Sequence, residues 1–149
     1  MATVFDAAAY ILNKCGAMSA MKLQKLIYYS QAWSLVWDDE PLFPERIEAW
    51  VNGPVVPELY ARHKGEFKVT PEMTGGNAAA LTAAQRDTID AVCQACSDLN
   101  AQQLSDMTHN EAPWRDARKG LRPNERGHSV ITHAAMAEYY SSLPASEQV

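Results

Sequence analysis

The chain has 149 residues, 47% of them apolar and 21% charged, and a net charge of −5 at pH 7. That is the length of one ordinary domain with enough apolar content for a real core, which excludes a disordered or collagen-like chain. No run reaches the roughly 18 apolar residues of a membrane-spanning helix. An acid, Asp6, sits where a signal peptide would be greasy, so a cytoplasmic location is expected. The three cysteines, an odd number, argue against a disulfide framework. A globally acidic field repels phosphate, so nucleic acid is a poor first expectation and a protein partner a better one.

Helical periodicity dominates, and the chain reads as a mainly α-helical single domain, residues 1–149, with its core over about 5–141. Val4, Ala8, Ile11, Leu12 and Cys15 fall at helical spacing and Gly16 follows as a stop. Ser19 is placed to cap a second helix running to about Trp37. That helix is apolar on most sides, which predicts a buried central post. Pro41 and Pro44 bracket a turn around Leu42-Phe43. Ile47 to Val51 is compatible with a short strand or a helical turn, and Asn52-Gly53-Pro54 is a strong break. Pro57 opens a helix that stops at Gly65. Glu66 to Thr74 is compatible with a small hairpin. Thr82 with Gln85, and Asn100 with Gln103, carry the spacing of capping boxes and start two further helices. Pro113-Trp114 breaks the second of these, and a last helix is expected from Val130 to Leu143. The tail over 144–149 is expected to fray.

Few residues form a pattern that carries chemistry. Cys93-x-x-Cys96 falls in mid-helix on the apolar face with no second pair, so two buried thiols are expected and no metal or cofactor. His109 lies beside Glu111 and suggests a general base, yet no nucleophile accompanies it at a convincing spacing. The plainer reading is that His109 hydrogen-bonds a backbone carbonyl before Pro113. No catalytic residue is assigned, and a hydrolase using His109 and Glu111 stands as the alternative. Lys22 and Lys25, three apart, read as a solvent stripe on the central helix. Gln24 and Gln31, seven apart, share another face, where a buried amide needs a loop partner. The loop through Asn52-Gly53-Pro54 is the expected one. Val55 and Val56 follow between two prolines, one expected to face inward and the other outward, which suits either a rigid docking edge or a stiff corner joining two core elements. The basic run Arg115 to Arg126 usually marks a solvated face, with an acidic partner or RNA as the alternative reading.

Met21-Lys22-Leu23-Gln24-Lys25-Leu26-Ile27-Tyr28-Tyr29-Ser30-Gln31-Ala32-Trp33 resembles the signature of the Panacea domain, the family of SocA-like antitoxins and phage-associated GepA-type proteins. Further blocks agree in order: Pro41-Leu42-Phe43, Glu48 through Pro57, Tyr60, Thr108-His109, Pro113-Trp114, and Ile131 with Tyr139-Tyr140. The resemblance implies a mostly helical, non-enzymatic domain. It implies a cognate toxin, encoded nearby, that the protein binds and neutralises, and at least one relative delivers its toxin to an ATP-dependent protease. An acidic surface would suit a basic toxin. Lys22, Lys25, Trp50, Asn52, Val55, Val56, Arg115 and Arg118 are the expected partner contacts, with the less matching stretches Glu66 to Thr74 and Arg115 to Arg126 as the alternative contact surface, since varied toxins demand a varied surface. Gln24, Gln31, Trp33, Gly53, Pro54, Pro57, Tyr60, His109, Pro113 and Trp114 are the expected structural motif.

Overall fold

The structure, a computed structural model, describes residues 2–149. Helix α1 (Val4–Cys15) starts at Thr3, whose hydroxyl accepts from Asp6 N while Asp6 Oδ2 accepts from Thr3 N. This reciprocal cap satisfies two end donors at once. The helix ends at Gly16, whose φ of +83° suits glycine. Strand β1 (Met18–Ser19) follows, and Ser19 Oγ accepts from Lys22 N to start α2 (Ala20–Trp37) as the sequence predicts.

Every residue of α2 from Leu23 to Ser34 is buried, polar ones included. Helices α1, α5 (Ala83–Ala95), α6 (Ala101–His109) and α8 (His133–Ser141) all pack on it. It is therefore the expected central post, with Trp33 and Tyr28 among its largest buried side chains. Trp37 departs from that reading: it stacks on Trp33 at 5.0 Å and remains 37% exposed where the helix leaves the core.

Strands β2 (Glu48–Trp50) and β3 (Gly53–Val55) form a tight antiparallel pair with Ala49 opposite Pro54. Helix α3 (Pro57–His63) follows directly, with Pro57 in its first turn. The expected hairpin over Glu66 to Thr74 does not form. Lys68–Val69, β4, pairs instead with β1, some fifty residues upstream, and Pro71–Thr74 is a short helix, α4. Both capping boxes form, Thr82 with Gln85 and Asn100 with Gln103. Pro113 does more than end a helix: it sits in the first turn of α7 (Ala112–Ala117). The last helix starts at His133 behind a Thr132 cap, later than expected, because Ile131 N is drawn to Ile47 O and Val130 bridges Glu48 beside β2. A single turn over Ala145–Glu147 stands where fraying was expected. No described helix is long and apolar enough to cross a membrane.

Candidate functional site

A cleft of about 780 Å³ opens between the start of α2, the β2–β3 turn, α3 and the loop over 126–128. Its floor comes from α2. Gln24 accepts from Val56 N at 2.9 Å, which fixes its amide, so Nε2 is left to donate to His63 Nε2 at 3.0 Å. His63 therefore accepts at Nε2 and is neutral, in line with the burial that lowers its pKa. Gln24 thus finds its loop partner just beyond the expected Asn52-Gly53-Pro54. Gln31 does not: it holds Leu42 N at 2.7 Å and Phe43 N and O at 3.3 and 2.9 Å.

Lys25 is the largest departure from the sequence reading. It is no solvent residue but 1% exposed, with Nζ donating to Pro54 O at 3.3 Å. Among the described residues no carboxylate comes within ion-pair distance of it. Burial pushes its ammonium down to about 8 from 10.5. Gly53 makes room for it: at φ +123°, a Cβ there would strike the Lys25 side chain and approach Thr108 Oγ1 to 3.1 Å. The glycine of Asn52-Gly53-Pro54 is thus required both by backbone conformation and by the lysine lying against it.

The walls are aromatic. Trp50 is held rigidly, its Nε1 donating to Glu48 Oε1 at 2.9 Å and its carbonyl accepting from Trp114 Nε1 at 2.8 Å. Tyr60 meets it edge to face at 5.0 Å. At the mouth stands Phe67, 84% exposed, although its own backbone is tied to the fold through Phe67 O and Ala20 N at 2.8 Å. It is the most exposed of the large apolar side chains among the described residues. Lys25, Lys64 and Arg126 line the cleft against a single acid, Glu66. An acidic protein is locally cationic here.

Of the expected contacts, Lys25, Trp50, Asn52 and Val55 come together in this cleft. Lys22, Val56, Arg115 and Arg118 do not line it. Val55 and Val56 are both buried, so no valine forms an outward edge. Arg118 is 5% exposed: it donates to Ala49 O at 3.1 Å, to Arg122 O and to Glu125 O, and its guanidinium lies 5.2 Å from the Trp114 ring centre. It clamps the basic loop onto β2, whereas Arg115 is exposed beside Asp116 at 3.9 Å. Phe67 was not itself named among the expected contacts, although the alternative contact stretch Glu66 to Thr74 contains it. Its one sequence signal is an aromatic residue set between Glu66 and Lys68 just after the Gly65 stop.

His109 does not bond a carbonyl through Nε2, which is buried without a hydrogen-bond partner among the described residues. It holds the turn by stacking on Trp114, with ring centres 4.0 Å apart and planes 11° off parallel. Glu111 serves another layer, accepting from Tyr29 Oη at 2.7 Å and Tyr140 Oη at 2.8 Å. No hydrogen bond joins the two among the described residues. Cys93 and Cys96 are free and buried, and burial raises both thiols. Among the described residues no group of three His, Cys, Asp or Glu could hold a metal ion.

A small helical domain wrapped around one helix buried from Leu23 to Ser34, with an aromatic cleft over that helix's polar start, is the class these features define. The family described as "Antitoxin SocA-like, Panacea domain" matches residues 23–115, more than half of the chain. The chain belongs to this SocA-like antitoxin family. The matched span holds the cleft from Gln24 to Phe67 and leaves the loop over 126–128 outside. No curated protein and no solved structure gives a significant match.

Proposed function

We propose that this protein is a non-catalytic antitoxin that neutralises a cognate toxin by forming a stoichiometric complex, with the cleft over Lys25 as the docking site. One observation carries the docking assignment: an 84%-exposed Phe67 stands on an ordered backbone beside a rigid Trp50, at the mouth of a cationic cleft in an acidic protein. Exposed aromatic anchors over a desolvated centre are the usual energetic core of a protein interface. Membership of an antitoxin family supports the toxin as the occupant.

Co-expression with the product of the adjacent open reading frame tests this reading. The toxin arrests growth alone, and the pair grows and co-purifies at equal stoichiometry. Phe67→Ser weakens the complex by about tenfold or more, the scale of losing an aromatic anchor, and leaves the melting temperature unchanged. Failure to rescue growth together with failure to co-purify contradicts the reading. Rescue in a strain lacking ATP-dependent proteases assigns neutralisation to masking, and loss of rescue there assigns it to proteolytic delivery.

A further inference from the structure

We propose that the cleft reads an acidic side chain: a Glu or Asp of the docked toxin segment reaches the Lys25 ammonium while an adjoining apolar residue lies against Trp50 and Phe67. This rests on the cleft being the toxin-docking site.

The ammonium has three N–H donors, and the fold gives it one neutral acceptor, Pro54 O. Charge in a low-dielectric site is best met by an opposite charge. No described residue supplies it. Glu48, on the neighbouring strand, commits its oxygens to Arg46 at 2.8 Å, Trp50 at 2.9 Å and His128 at 3.5 Å. Lys64 and Arg126 at the rim add to the positive field that draws an anion in, against Glu66 alone. The bare Gly53 backbone is what lets the lysine side chain lie along the turn and bring Nζ to Pro54 O. Depth selects the source of the carboxylate. Lys25 is 1% exposed at the floor of an open cleft, so an extended side chain dropped from a crossing segment suits it better than a chain terminus. The walls then take the neighbouring apolar residue.

The probe is a capped peptide, Gly-Phe-Glu-Gly, titrated into the full chain by NMR beside its Gly-Phe-Gln-Gly counterpart. The Glu peptide binds about tenfold or more tightly than the Gln peptide, the scale of a charge-assisted contact in a partly desolvated site. Lys25→Met abolishes that preference, and so does Lys25→Gln, which retains a donor for Pro54 O and guards against a folding artefact. Equal binding of the two peptides, or a preference that survives both substitutions, overturns the proposal. Acetate bound as tightly as the Glu peptide, or a free C-terminal carboxylate preferred over the Glu side chain, also overturns it. If the toxin complex forms and Lys25→Met holds the toxin as tightly as the unaltered chain, the carboxylate reading fails and the antitoxin reading stands. If the peptide preference holds and no toxin is neutralised, the reverse is true.

Discussion

Replacing Lys25 by methionine raises the stability of the fold at pH 7, by about 1–2 kcal/mol, although it deletes a hydrogen bond from the core. The ammonium titrates near 8 in the folded chain against 10.5 when free. The folded state therefore carries a penalty of about 3 kcal/mol for holding that charge at neutral pH. Methionine removes the penalty and leaves Pro54 O without its donor, at a cost of about 1–2 kcal/mol. The pH dependence fixes the sign. Between pH 8 and 10.5 the unfolded chain binds the proton more tightly than the folded one, so the stability of the lysine form rises with pH across that window. The methionine form has no such term, and its advantage shrinks as pH climbs from 8 towards 10.5. Denaturant unfolding of both proteins at pH 7 and pH 9.5 measures this. A methionine form less stable at pH 7, by the same amount at both pH values, contradicts it.

The second large effect is the opposite in sign. Gln31→Leu keeps the volume and removes the polar end that holds the loop between α2 and β2. Leu42 N, Phe43 N and Phe43 O all lose their partner inside the core, where Leu42 and Phe43 are each 1% exposed. Stranding three buried backbone groups costs about 4 kcal/mol in total. For a chain of this size that lowers the melting temperature by roughly 10 °C. Calorimetry of the variant checks this, and a loss below about 1 kcal/mol contradicts the assigned role, since that is the scale of one ordinary hydrogen bond.

These two residues show where sequence reading succeeds and where it stops. Caps are local: Ser19, Thr82 with Gln85 and Asn100 with Gln103 are decided within four residues, and each forms as expected. The buried post was legible for a similar reason, because a helix apolar on most sides has nowhere else to go. Lys25 was not legible. Three-residue spacing from Lys22 matches a solvent stripe, and only Pro54, 29 residues on, shows that this side chain turns inward. Gln31 was correctly placed on a face needing a loop, but two loops were available and spacing cannot choose between them. β4 found a partner fifty residues away instead of a neighbour, which no turn residue announces. Arg118 looks solvated in a run of basic residues, yet its guanidinium is taken up by one distant carbonyl, Ala49 O, and two nearby ones, Arg122 O and Glu125 O. The cleft combines residues from four separate stretches of chain, so its parts were partly named in advance while its shape, and Phe67 at its mouth, were not.

Hydrogen–deuterium exchange of the toxin complex against the free antitoxin tests the central claim most directly. The account predicts that amides over residues 50–56 and 64–68, the turn and loop around the cleft, gain protection while the outer face of α5 is unchanged. Protection confined to other surfaces, with the cleft exchanging as fast as in the free protein, would contradict it.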